Sequence, residues 1–349
     1  MTNIRKLGEL IEWVDTRNKG VISTNLLGIN IEKFFMPSVA NIIGTDLSSY
    51  KLVSKNQFAC NPMHVGRDEK MPIALYLNEE PSIVSPAYFV FQPKDLTVVN
   101  PEYLMLWFRR AEFDRECWFH TDGSVRGGIT WDEILDMSVP VPSIEEQNKI
   151  VLSYNDIEKR IKLKRQINDN LATTINVIYR NMFSNKEKNG KLSSLIEICY
   201  GKDHHKIPEG SIPIIGSGGI MRYGNTALYE GESVLIPRKG TLTNIMYIDE
   251  PFWTVDTMFY SKMQVTNVAT YVHQYLKSLD FAAMDIGAAV PSMNTEYLYS
   301  LDLYIPNENE LKQFYSKTKP LYDRIIDNKK ACQYLDKVKT ILLTKLSSR

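Results

Sequence analysis

Nothing in this sequence pairs its cysteines. Cys60, Cys117, Cys199 and Cys332 lie far apart with no C-x-x-C spacing, which excludes a disulfide framework and reads as free thiols in a reducing compartment. Long apolar runs are also missing. No stretch approaches the roughly 18 apolar residues of a membrane span, and residues 1–13 carry charges where a signal peptide needs an apolar core. The expectation is a cytoplasmic protein without membrane contact. Neither sign of charge is in surplus: Lys+Arg and Asp+Glu are both 41, so no overall field draws in nucleic acid, and DNA binding would have to come from local patches. What the chain does have is globular composition, 44% hydrophobic over 349 residues, enough for two or three domains with cores of their own.

Catalytic motifs are absent as well. Gly216-Ser217-Gly218-Gly219 follows a strand-like run, but the broken, polar Ile220–Asn225 stands where a dinucleotide fold opens a helix. Gly190-Lys191 and Gly201-Lys202 lack the upstream glycine and following Ser/Thr of a phosphate loop. Asn61-Pro62-Met63-His64 resembles the N-P-P-[YF] loop of adenine methyltransferases, without the second proline and without the aromatic that stacks on a flipped base. His64, His120, His204, His205 and His273 show no metal-ligand spacing, and no nucleophile triad or carboxylate pair can be assembled. The chain is expected to bind no metal or cofactor and to catalyse nothing alone.

The positive signal is repetition. Residues 6–12 reappear as residues 191–197, an offset of 185. Ile129, Ile134, Met137, Val141 and Pro142 match Met293, Leu298, Leu301, Ile305 and Pro306 at offset 164, and residues 85–89 match 254–258 at offset 169. Each copy ends in a pattern stepping alternately by four and three: Ile150, Tyr154, Ile157, Ile161, Lys164, Asn168, Leu171, Ile175, Ile178, Met182, and then Phe314, Thr318, Leu321, Ile325, Asn328, Cys332, Leu335, Lys339, Leu342, Leu346. Such a strict, mostly apolar stripe predicts two long helices joined along a seam, with Lys164, Asn168 and Asn328 at its polar middle. The bodies read as short strands between turns (213–215, 233–236, 245–248, 258–260), with a helix at 271–276 mirrored at 101–108. The expected organisation is an α/β (α+β) globe at 1–143, a long helix at 144–185, a second globe at 186–305 and a second long helix at 306–349.

Duplicated globes and helices without a catalytic motif resemble the DNA-specificity subunit of type I restriction–modification enzymes, over essentially the whole chain. The strings that carry the resemblance are Ile214–Gly219, Ile236–Thr241, Phe252–Thr257 and Gly287–Asn294 running into Leu303–Pro306. Weaker counterparts are Val65–Asp68, Gly123–Ile129 and Val139–Gln147, the last carrying the P-x-x-x-E-Q helix start. The first copy departs from the second where Asp68-Glu69 replaces Lys239-Gly240. The resemblance implies that each globe reads one half of a bipartite, asymmetric double-stranded target, and that the two helices pair as an antiparallel coiled coil about a pseudo-two-fold and set the gap. It also implies two methylation subunits that bind the helices and carry S-adenosylmethionine for adenine-N6 transfer, and a restriction subunit using ATP and Mg.

Base edges in the major groove are matched by Arg or Lys on guanine and Asn or Gln on adenine. The candidate DNA contacts are therefore Ser217, Arg238, Lys239, Thr241, Thr243 and Asn244 in the second globe, and Asn56, Gln57, Arg67 and Arg126 in the first. Arg67 and Arg238 align at offset 171. Two other classes compete: a non-catalytic protein scaffold without DNA binding, and a stand-alone enzyme, which the missing motifs disfavour.

Overall fold

The computed structural model describes residues 3–40, 44–121, 127–281 and 293–346. The chain divides into two compact units, Met1–Lys162 with Cys332–Arg349, and Leu163–Ala331. Each unit holds one globe and a stretch of both long helices. The helices run Ile144–Phe183 and Glu308–Lys345, so the division cuts through them instead of setting them apart as the domains 144–185 and 306–349.

The first globe is closed by its ends. Strand Asn3–Lys6 pairs antiparallel with Ser138–Val141. Its main sheet runs in the order Ile11–Val14, Phe89–Pro93, Phe58–Cys60, Ile73–Leu75, all antiparallel. Phe58 stacks on Phe91 across this sheet with ring centroids 5.0 Å apart, and Phe108 of helix Pro101–Phe108 meets both edge-on. Each such aromatic pair adds about 0.5–1.5 kcal/mol beyond its burial.

The second globe repeats the plan. Gly190–Lys191 pairs with Asp302–Leu303, and the main sheet runs Ile196–Tyr200, Met258–Met263, Glu232–Pro237, Met246–Asp249. The registers superpose as well. Ile11 faces Pro93 where Ile196 faces Met263, offsets of 185 and 170. The third sequence block thus slips by one residue from the 169 its residues suggest. Buried Ser233 Oγ bonds the backbone N and O of Ser261, and Ser261 Oγ bonds the backbone N and O of Val234, at 2.7–3.1 Å, which closes the sheet where its ladder ends. The globes differ beyond the main sheet. The first has two ladders, Leu27–Ile29 with Phe35–Pro37 and Lys51–Val53 with Ser82–Val84, whereas the second has a sheet ordered Gly219–Gly224, Glu209–Gly216, Trp253–Thr254.

The two long helices pack together antiparallel within each unit. In the first, Cys332 Sγ reaches Ile161 O at 3.9 Å and Lys339 Nζ reaches Glu158 at 2.6 Å. In the second, Asn328 Nδ2 donates to Asn168 Oδ1 at 2.9 Å, Asn168 Nδ2 to Ile325 O at 3.3 Å, and Lys164 Nζ to Asn328 Oδ1 at 3.2 Å. Every position of the two stripes is buried or half-buried, Ile150, Ile157, Leu171, Ile178, Met182, Leu321, Ile325, Leu335 and Leu342 half and Tyr154, Ile161, Ile175, Phe314 and Leu346 fully, as a continuous seam requires. The helix starts use different devices. Gln147, fully buried, accepts from Asn100 N and donates to Val98 O and Pro142 O. At the second start Asn307 and Glu310 cap each other reciprocally at 3.0 Å.

Candidate nucleic-acid interface

In the second globe the sequence candidates converge. Strand Glu232–Pro237 ends in the loop that carries Arg238, Lys239, Thr241, Thr243 and Asn244. Asn244 Nδ2 donates to Ser217 O at 2.8 Å, which ties this loop to the turn 216–219. That turn needs glycine at 219, where φ is +117°, and Gly240 (φ +82°) sits so close that a Cβ there would lie 3.0 Å from Ser217 Oγ. Arg238 N and Lys239 N both donate to Thr257 O, at 2.8 and 3.4 Å, and Arg238 O accepts from Met293 N at 2.8 Å. Lys239, Thr241 and Thr243 are exposed, while Ser217, Arg238 and Asn244 are half-buried.

Two neighbours were invisible to motif reasoning. The Arg238 guanidinium lies 5.4 Å from the ring centre of Tyr200, itself 53% exposed and propped edge-on by Phe259. Arg238 also donates to Asp256 O at 3.3 Å. Exposed Lys202 follows Tyr200 by two residues, its backbone bonded to Thr254 O and to the Trp253 indole N–H. The only signal in the sequence was an aromatic and a lysine at the end of a strand. Lys202, Arg238 and Lys239 share this end of the sheet with exposed Asp203 and Asp256, so its excess of positive charge is small.

The first globe does not assemble its candidates in this way. Arg67 lies in the short helix Val65–Asp68, and its guanidinium grips Asp68 at 2.7 and 2.9 Å, an ion pair that raises its pKa. Asn56 and Gln57 lie at the other end of strand Phe58–Cys60, about 10 Å of strand away. Asn56 adopts φ +66° in a turn, while Gln57 accepts from Ser54 N at 2.8 Å and donates to Gln92 at 3.0 Å. Arg126 lies outside the described residues, as does most of Gly287–Asn294.

The ladders also reassign the partner of Arg238. Cys60 faces Phe89 where Ile236 faces Phe259, an offset of 176 for these strands, which puts Pro62 in the place of Arg238. A shared bond settles this: Ile129 N donates to Pro62 O at 3.2 Å as Met293 N does to Arg238 O. Arg67 belongs to the equivalent loop but not to the equivalent position, because that loop carries extra helical turns in the first globe.

The family model for the type I restriction modification DNA specificity domain matches the chain twice, over residues 3–173 and 185–338. The chain belongs to that family. Each match covers one globe and most of the long helix that follows it, so the specificity domain occurs here as a tandem pair. Among solved structures, the S subunit of a type I restriction–modification system from M. genitalium has the same fold: TM-score 0.65 at 14% identity, covering 99% of this chain and 96% of that one. The HsdS subunit from Thermoanaerobacter tengcongensis matches with TM-score 0.41 at 13% identity over 99% and 96% of the two chains. No curated protein matches the sequence. The specificity domain confers DNA sequence recognition within a restriction–modification system, whose action involves DNA and further subunits.

Among the described residues no group of three or more His, Cys, Asp or Glu is placed to hold a metal ion, and no helix is long and apolar enough to cross a membrane. His273 is buried against the Tyr322 hydroxyl at 2.5 Å, and burial lowers its pKa to about 3, so it stays neutral.

Proposed function

We propose that each globe reads one half of a bipartite, asymmetric duplex target and that the helix pair sets the distance between the halves. The observation that carries this reading is the convergence of Ser217, Arg238, Lys239 and Asn244 with Tyr200 and Lys202 at one end of a sheet whose topology occurs twice. Flexible polar side chains on loops braced by backbone bonds suit base-edge recognition, the exposed lysines suit phosphates, and the duplication supplies two readers. The small local charge excess means that much of the phosphate affinity comes from partner subunits. In this reading the chain transfers no methyl group itself. S-adenosylmethionine belongs to two methylation subunits on the helices, ATP and Mg to a restriction subunit, and the assembly works in the cytoplasm.

The test is to produce the chain with and without a cognate methylation subunit and to sequence methylated adenines in the host. A split motif that appears only with both proteins supports the proposal. A continuous motif, or calorimetric binding of S-adenosylmethionine by the isolated chain, refutes it.

A further inference from the structure

The strand that delivers Arg238 is anchored at its other end. Glu232, its first residue, accepts hydrogen bonds from Tyr247 OH and, at 3.0 Å, from Tyr315 OH of the second long helix. On the paired strand, Asp249 meets Lys319 of that helix at 3.0 Å, and the next residue, Glu250, meets Lys330 at 2.6 Å. Between them Tyr322 OH bonds with His273 Nδ1 at 2.5 Å and accepts from Gln274 Nε2 at 2.7 Å. Tyr315, Lys319 and Lys330 thus fasten one face of the helix to one end of the hairpin 232–249, and the Tyr322 ring packs on Tyr247 of that hairpin with centroids 4.4 Å apart. The hairpin's other end is the reading loop, about 20 Å away at about 3.3 Å per residue.

The first globe has no such fastening at the matching places. At offset 164, Tyr315 corresponds to Val151 and Lys319 to Asn155. Asn155 bonds instead to Glu102 of helix Pro101–Phe108, at 2.8 Å. Between the hairpin end Leu75–Asn78 and Val151 and Asn155 lies an open cleft of about 410 Å³.

We infer that Glu232, Asp249 and Glu250, clamped to Tyr315, Lys319 and Lys330, are positioning residues that hold the second reading loop at a fixed angle to the spacer helix, and so sharpen the half-site spacing the protein accepts. The inference rests on the proposed two-reader function. A helix can measure DNA only if the reader at its end cannot swing. A six-residue strand held at one end by charge-assisted bonds transmits helix position to Arg238, whereas a strand backed by a cleft does not. The clamp touches no base, so it acts on spacing and leaves sequence preference alone.

The experiment compares wild type with a Tyr315→Phe, Lys319→Met double variant, each produced with the methylation subunit. The half-sites are first mapped from host methylation. Binding is then measured on duplexes holding both half-sites at the native spacing and at one base pair more or fewer. The expected result is unchanged half-sites, with the preference for native spacing falling about tenfold, the scale set by losing a charge-assisted hydrogen bond. An unchanged spacing preference overturns the inference, as does equal loss at all spacings. If the double variant does not fold, Lys330→Met decides in the same assay, because Lys330 is exposed, and Lys330→Glu with Glu250→Lys should restore the preference. A wild type that yields no split motif refutes the two-reader function itself; a split motif with unaltered spacing preference in the variants refutes only the clamp.

Discussion

Asn328 offers a sharp test of what the polar middle of the helix pair does. Its side chain is 1% exposed, donates to Asn168 Oδ1 at 2.9 Å and accepts from Lys164 Nζ at 3.2 Å. Asn328→Leu removes both bonds and leaves Asn168 Oδ1 facing an apolar group. A stranded polar atom costs about 1–3 kcal/mol, and leucine regains part of this through its own burial. Lys164 is half-buried and can swing its ammonium to water, so it adds little. The net expectation is a loss of about 1–2 kcal/mol, seen as a fall of about 2–8 °C in the melting temperature of the unit that contains the pair. Asn168→Leu alone should cost a similar amount, because it strands Asn328 Nδ2 and frees Ile325 O. The double variant makes the layer apolar and should recover most of the summed loss, a favourable coupling of about 2–3 kcal/mol in a double-mutant cycle. Urea unfolding of all four proteins measures it. Additive costs, or a neutral Asn328→Leu, would show that the asparagines do not act as a pair. If the layer also fixes register, the stable double variant should accept altered half-site spacings where wild type does not.

Arg238→Ala should weaken binding to the cognate target by about 1–3 kcal/mol and relax preference in the second half-site only; a uniform loss on all sequences with a shallower salt slope would make it a phosphate contact. Replacing residues 1–143 with the globe of a relative should change one half of the methylated motif, and a change in both halves would contradict independent readers. Seven residues inserted in the first helix keep the heptad seam and add about 10 Å, so the gap should grow by about three base pairs at about 3.4 Å each. Unchanged spacing with full activity would show that the helices join the subunits without measuring DNA. Because His273 is neutral when folded, with a pKa near 3, the unfolded chain takes up its proton first as pH drops below about 6.5. Stability should therefore fall as pH is lowered from about 6.5 towards 3, by up to about 1.4 kcal/mol per pH unit from this group, and a His273→Gln variant should show a shallower slope in urea titrations between pH 6 and 5.

The duplication and the helices were legible because they rest on long-range pattern. Two apolar stripes 164 residues apart mark helices that begin at Ile144 and Glu308, the same offset. Helix periodicity survives substitution, since each position needs only an apolar residue of suitable size. Strand alignment is more fragile. Three-residue strands such as Phe58–Cys60 carry little pattern, so pairing Arg67 with Arg238 looked sound until the ladders placed Pro62 there. Identity of charge was the wrong guide; the repeated bond from Ile129 N and Met293 N is the right one, and it involves only backbone atoms that sequence does not reveal. The same blindness applied to Tyr200, which joins the candidate site only because Arg238 folds over its ring.

The asymmetry between the globes follows from the same physics. Both keep the main sheet, because its strands build the core and a change of order would expose it. The two-stranded ladders and three-stranded sheet outside it are free to diverge, and they have. The first globe places extra helical turns after Cys60 where the second has a short glycine turn after Pro237. If each globe reads a different half-site, divergence should concentrate in the loops after these two strands and spare the strands themselves. Across the two copies within this one chain the main sheet keeps its strand order and registers, while these loops and the smaller sheets beyond it differ. A pair of readers that recognised the same half-site would have no reason to part there, so the unequal loops argue for an asymmetric target.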